Sequence, residues 1–411
     1  MRILHTADWH LADRLGRIDR TDDLRRAVER VAEYCRSEQV DVLLVAGDLF
    51  SELAGPDALR EAIKHLQETF KPFLRDGGTI LTLTGNHDKE NFCQTLKHAM
   101  NLAAPASGGF GDIVPHGRLY LATGPTLLSL TDRETDKAVQ FILMPYPTPT
   151  RYLEDEESQR YQSLDEKNRH LMAAYTRRLN ALQANKRFDP RLQTVLAAHV
   201  HVRGAELNTL FRITEQEDVV FSDADLPSGF AYIALGHIHR AQYLGGQKHI
   251  RYSGSIERMD LGEKDDQKGV VLFDLGPDGL RGEPMVQPID VTPIYEIEIR
   301  SPQDELPGLK ERYAGANADL VRIVCTYTAG VDNREEILRE LNDIFPRWYD
   351  REIHERNALD KITLVGGSSG PAKSFEQTVR DYLQQELTNH EEDFRQAVLA
   401  RAEELMKEVQ A

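Results

Sequence analysis

The chain has 411 residues, 28% of them charged and 40% apolar, and a formal net charge of −17. That length exceeds one ordinary domain and is enough for two or three, and the balance is that of a globular chain rather than a disordered one. So acidic a protein does not hold nucleic acid by bulk electrostatics. No run of roughly 18 apolar residues is present to span a bilayer. The opening MRILHTADWHL puts Asp8 and His10 where the apolar core of a signal peptide would lie, so no signal peptide is expected. Cys35, Cys93 and Cys325 are far apart and form no metal or redox spacing. Together these features predict a cytoplasmic protein with no membrane partner.

Short apolar runs alternate with helical patterns through the first 285 residues. Strands are predicted over 3–6, 40–46, 79–84, 138–144, 193–197, 232–235 and 269–275. A helix is predicted over 23–37, with Leu24, Ala27, Val31 and Tyr34 on one face, and another over 56–73. This βαβ order implies an α/β fold with one sheet covered by helices on both faces. Residues 151–186, with Leu164, Leu171, Tyr175, Leu179 and Leu182 at helical intervals, read as a surface helical insertion. Glycines and prolines thicken over 276–293, which predicts a domain boundary there. Beyond it, strands at 295–299 and 321–326 bracket a helix, another helix covers 334–345, and a linker at 366–371 leads into a helix over 375–409.

Five features fall at carboxyl ends of predicted strands, where open α/β sheets place their ligand sites. The first strand is followed by Asp8-Trp9-His10, the second by Gly47-Asp48, and the third by Gly85-Asn86-His87-Asp88. Later strands end in Ala198-His199 and Gly236-His237-Ile238-His239. Carboxylates, an amide oxygen and imidazoles make a mixed oxygen and nitrogen set suited to manganese, iron or zinc. Two such cations acidify a water toward neutral pKa and clamp a phosphate, the chemistry of phosphodiester hydrolysis. His87, with Asp88 to position it, is then expected to protonate the leaving alkoxide or stabilise its charge.

The D-x-H, GD, GNHD, H and GHxH series resembles that of the calcineurin-like metallophosphoesterases. Within them the stretches ILHTADWHLADRL, VAGDLF, LTGNHD, YIALGHIHRAQ and YSGSIERMDLGE resemble the SbcD family of bacterial double-strand-break repair nucleases. The resemblance covers residues 1–275. It implies a metallophosphoesterase sheet core flanked by helices over 1–285, a small α/β capping domain over 290–365 and a C-terminal helical tail over 372–411. It implies that Asp8, His10, Asp48 and His239 hold one metal ion, most naturally Mn2+. Asp48, Asn86, His199 and His237 would hold the second, with Asp48 shared, while His87 stands beside the scissile phosphate. Some relatives carry a histidine three residues after the bridging aspartate; here that residue is Ser51. The implied activity is exonuclease and endonuclease action on DNA. The implied partner is a coiled-coil ATPase, called SbcC in bacteria, gripped by the tail of a homodimer within a heterotetramer. The alternative on the same site is a phosphatase or a cyclic-nucleotide phosphodiesterase.

Arg14, Arg17 and Arg20 follow the first ligands and Arg240, Lys248 and Arg251 the last, so they are expected to form a basic patch toward DNA phosphates. His201 is expected to be a surface histidine. Gly367-x-x-x-x-Ala372-Lys373-Ser374 only nearly spells a phosphate loop, since alanine replaces its second glycine; a linker with Ser374 as a helix N-cap is the expected reading.

Overall fold

The computed structural model describes residues 1–104, 111–153, 161, 163–207, 218–222, 226 and 228–356, with a few single positions beyond. The predicted linker and nearly all of the tail helix lie outside the described residues. In chain order the first part comprises β1 (Arg2–Thr6), α1 (Thr21–Ser37), β2 (Val42–Val45), α2 (Pro56–Arg75), β3 (Thr79–Leu83), α3 (Glu90–Ala103), β4 (Leu119–Ala122), β5 (Thr126–Thr131) and β6 (Ala138–Met144). It continues through α4 (Leu164–Gln183), β7 (Thr194–His199), β8 (Tyr232–Gly236), β9 (Gln242–Leu244), β10 (Gln247–Tyr252), β11 (Gly269–Gly276) and β12 (Gly279–Pro288).

These strands form two six-stranded sheets, not one. The first has the order β12-β11-β1-β2-β3-β4 and the second β9-β10-β8-β7-β6-β5. Alternation along each strand shows how they stack. Leu4, Leu43 and Val45 face α1 and α2, while their neighbours Ile3, Val42 and Leu44 meet Phe141, Val195 and Tyr232 of the second sheet. On its outer face that sheet buries Leu196, Ala198 and Ile233 against Leu171, Tyr175 and Leu179 of α4. The helical segment expected as a surface insertion is therefore a structural layer. A strand sandwiched between sheet and helix shows the same continuous apolar run as one between two helix layers, so the sequence pattern does not distinguish them.

β1, β2 and β3 run parallel, as do β7 and β8, so within each sheet the carboxyl ends share one edge. The glycine- and proline-rich stretch is not a boundary over its whole length. Gly276 pairs with Gly279 across a tight turn, and β12 continues to Pro288 as the outer strand of the first sheet. An edge strand tolerates Pro284 because its outward amides need no ladder partner.

The chain leaves the sheet only after Pro288. It then forms β13 (Ile294–Ile299), α5 (Pro302–Arg312), β14 (Leu320–Thr328), α6 (Arg334–Ile344) and β15 (Trp348–Arg356), a three-stranded sheet under two helices. Its core includes Ile297, Ile299, Val321, Ile323, Leu341 and Phe345. The side chain of Asn333 caps α6 by accepting from the amides of Glu335 and Glu336. This small sheet meets the short hairpin that pairs Arg14 with Asp19. Leu15 and Ile18 pack on Ile294 and Leu320, and a Cβ on Gly16 would lie 2.2 Å from the Tyr349 carbonyl oxygen. Among the described residues no helix is long and apolar enough to cross a membrane.

Candidate metal centre

The loops after β1 and β2 are crossed by backbone bonds: the amide of Asp8 donates to Gly47 O at 3.1 Å, and those of Trp9 and His10 donate to Asp48 O at 2.8 and 3.0 Å. Sharp turns follow. Asp8, His10, Asp48 and His237 all have positive φ, between 45° and 96°, a conformation that non-glycine residues hold only when their surroundings enforce it. Two glycines make the close approach possible. A Cβ on Gly47, whose φ is +97°, would lie 2.2 Å from His199 Nδ1, and one on Gly85 would lie 2.0 Å from Asp48 Oδ1.

The second sheet brings its imidazoles to the same point. His199 Nε2 lies 3.0 Å from Asn86 Oδ1 and 3.2 Å from Asp48 Oδ2. His237 Nδ1 lies 3.0 Å from the same Asn86 oxygen, and the His237 amide donates to Asp8. His10 Nε2 faces His239 Nε2 at 3.1 Å. All seven predicted ligands therefore converge on one point where the carboxyl ends of the two sheets meet. The outer nitrogens are engaged elsewhere. His199 Nδ1 donates to Ala46 O at 2.8 Å, His239 Nδ1 to Glu263 at 2.8 Å and His237 Nε2 to Asp218 at 2.6 Å. Because those acceptors fix the protons outward, the inner nitrogens present lone pairs to one another and to amide and carboxylate oxygens.

Such a concentration of lone pairs calls for positive charge. Burial pushes the Asp8 carboxyl above its ordinary value. Burial would raise Asp48 as well, but the surrounding imidazoles, His199 foremost, outweigh it and hold Asp48 well below. At His199 burial works to lower the pKa, yet Asp48 beside it lifts it to about 9. A proton on His199 is one way to supply the charge; divalent cations held by these oxygens and nitrogens are another, and the donor set fits them. Among the described residues four groups of three lie close enough to hold a cation: Asp8, His10 and His239; Asp8, Asp48 and His199; His10, Asp48 and His87; and His201, Asp218 and His237.

A family model for calcineurin-like phosphoesterases matches residues 1–241. The SbcD component of the SbcCD nuclease from Rhodobacter capsulatus is 30% identical over 303 residues, which cover 70% of this chain and 70% of that protein. The chain belongs to the SbcD family of calcineurin-like phosphoesterases. The corresponding SbcD component from Escherichia coli K12 is 29% identical over 66% of this chain, and the match spans 64% of that protein's length. Among solved structures, a dimetal phosphatase from Danio rerio aligns with 71% of this chain and 99% of its own at 9% identity, with a TM-score of 0.41.

Around this SbcD-family centre several expected roles change. His87 stands at the rim, 36% exposed, its Nδ1 3.5 Å from Glu52 and its ring 5.0 Å from that of His10. Asp88 accepts from the amides of Leu49, Phe50 and Gly85; it braces the loop that carries His87 rather than the imidazole itself. Burial, then the charge of Asp48, pushes the Asp88 carboxyl up to about 6. Ser51 donates to Asp13 at 2.6 Å.

The expected basic patch does not form as a set. Arg20 is 1% exposed and bonded to Asp23 at 2.7 Å, and Arg17 donates to the carbonyls of Pro346 and Trp348. Arg240 pairs with Glu206 and Lys248 with Glu283, while Arg251 donates to Pro284 O. His201 is not a surface residue: it is 1% exposed and its Nδ1 lies 3.3 Å from Asp218. Two carboxylates behind the imidazoles, Asp218 and Glu263, escape the sequence reading. Glu263 closes the YSGSIERMDLGE stretch, which was a signal; Asp218 sits in no motif.

Proposed function

We propose that this chain is a metal-dependent DNA nuclease, with exonuclease and endonuclease action, serving as the nuclease subunit of an SbcC–SbcD-like complex in repair and recombination. The convergence of Asp8, His10, Asp48, Asn86, His199, His237 and His239 carries this reading. Asp8, His10, Asp48 and His239 would hold one ion, and Asp48, Asn86, His199 and His237 the other, with Mn2+ suited to the mixed donor set. When bound, the pair supplies Lewis acidity, lowering the pKa of water and offsetting charge on the phosphate oxygens. The chain's own residues orient and protonate. Asp48, low in pKa, remains a carboxylate shared by both halves. Glu263, Asp218 and the Ala46 carbonyl hold the imidazoles in the tautomers that face inward. His87, open to solvent at the rim, donates a proton to the leaving alkoxide.

The acidic charge of the chain supports a partner that brings the positive DNA-binding surface. In this reading residues 290–365 cap the nuclease domain at 1–285. The tail over 372–411 grips a coiled-coil ATPase, two copies of each making a heterotetramer. Three buried unpaired cysteines suit a reducing cytoplasm. The test is cleavage of end-labelled duplex DNA in manganese by the purified chain, with and without the ATPase. Shortening of the duplex that is stimulated by the ATPase is expected. Hydrolysis of nitrophenyl phosphate or cyclic nucleotides with intact DNA would overturn the reading in favour of a phosphatase or cyclic-nucleotide phosphodiesterase.

A further inference from the structure

Behind His237 lies a buried polar cluster that the ligand motifs do not include. Asp218 is 7% exposed. Its Oδ2 accepts from His237 Nε2 at 2.6 Å. Its Oδ1 accepts from the Tyr146 hydroxyl at 2.7 Å and from the amide of Val219 at 2.8 Å. His201 Nδ1, buried without a hydrogen-bond partner of its own, lies 3.3 Å from Oδ2. Tyr146 is tied to the ligand loop in turn. Its amide donates to Thr84 O at 3.0 Å, its ring centroid lies 5.6 Å from that of His237 and 6.2 Å from that of His199, and the buried Arg151 bridges the carbonyls of Tyr146 and Gly85.

We propose that Asp218, held by Tyr146, is a positioning residue that fixes the tautomer and ring plane of His237, and so sets the cation affinity of the half-centre formed by Asn86, His199 and His237. The inference rests on the two-cation reading above and adds residues outside the predicted ligand set. An ionised carboxylate only accepts, so Asp218 keeps the proton on Nε2 and the lone pair on Nδ1, the atom facing Asn86. Asparagine at 218 offers an amide that can donate to Nε2 and stabilise the opposite tautomer, whose Nδ1–H cannot take a cation. The other half-centre has its own brace: Glu263 holds His239 and is paired with Lys268 at 2.6 Å. Loss of Asp218 therefore acts on one ion and spares the other.

The test is Mn2+ titration of the full chain by calorimetry and electron paramagnetic resonance. Wild type should take two ions and give the spectrum of a coupled pair. Asp218→Asn should keep one ion at wild-type affinity and bind the second about 10–100-fold more weakly, giving an isolated six-line signal at intermediate manganese. Tyr146→Phe keeps the ring and removes one hydrogen bond, so it should weaken the same ion to a smaller degree. If Asp218→Asn proves unable to fold, Tyr146→Phe decides alone. Two ions bound as in wild type by the folded variant, or equal weakening of both, overturns the positioning role while leaving the two-cation reading intact. Fewer than two ions in wild type overturns that reading and this inference with it.

Discussion

The two sheets contribute unlike chemistry to one centre. The first supplies Asp8, His10, Asp48 and Asn86 on tight loops after β1, β2 and β3, and its carboxylates sit among backbone amides and glycines. The second supplies His199, His237 and His239 from β7 and β8, each with its far nitrogen fixed by a carboxylate or a carbonyl. Charge thus comes from one side and directed lone pairs mainly from the other. In the proposed two-ion arrangement a carboxylate shared across the seam has no substitute, whereas each imidazole serves one half.

Asp48→Asn tests this most severely. Asp48 meets His199 at 3.2 Å and His10 at 3.9 Å, so both ions should be lost and cleavage abolished, whereas His199→Gln should remove one ion. Metal analysis of the two variants reads the difference; equal losses would erase the distinction between the sheets. Next in size is His87→Gln. It should retain both metals and DNA binding yet cut roughly 10²–10⁴-fold more slowly, about 3–5 kcal/mol in the barrier. A nitrophenyl phosphodiester, with its good leaving group, should lose much less rate, and an equal loss on both substrates would make His87 a charge stabiliser instead.

Away from the seam, Asp23 joins Arg20 at 2.7 Å and Arg347 at 2.6 Å. Asp23→Ala leaves Arg20 buried without that partner and should destabilise the fold by about 3–5 kcal/mol, measured by urea unfolding, with the metal centre unchanged. The pH dependence has a definite sign. Burial raises the Asp23 carboxyl, but Arg347 and Arg20 outweigh it and hold it below the ordinary value. Its contribution is therefore complete above the unfolded pKa near 4 and lost as pH falls through the lower folded value. Asp23→Ala should flatten that acid limb. The smallest effect belongs to the surface: Arg240→Ala breaks a pair with the exposed Glu206 and should cost about 0.2–1 kcal/mol, with cleavage close to wild type.

The proposed ligands were legible because a short apolar run followed by glycine or alanine and a polar side chain marks the end of a buried strand. The second sheet was not, for the reason that Phe141 or Val195 would be equally apolar under a helix. Strands β4, β5, β9 and β10 carry no long alternating run and went unpredicted. Asp218 reaches His237 from 19 residues away in sequence and Arg20 meets Glu257 from far along the chain; neither partnership leaves a spacing in the chain. Charge alone made Arg20 look solvent-facing, when burial decides its place; Arg17 is exposed, with its guanidinium over the Trp348 ring.

The crossed amide bonds between the loops after β1 and β2, with left-handed backbone at Asp8, His10 and Asp48, have a kinetic side. These bends are enforced by strand pairing, so the loops lose their conformational freedom when the chain folds and not when an ion arrives. Association then requires little further ordering of the backbone. Capture of an ion becomes a matter of shedding its water and displacing protons, and the sheets themselves act as the mould.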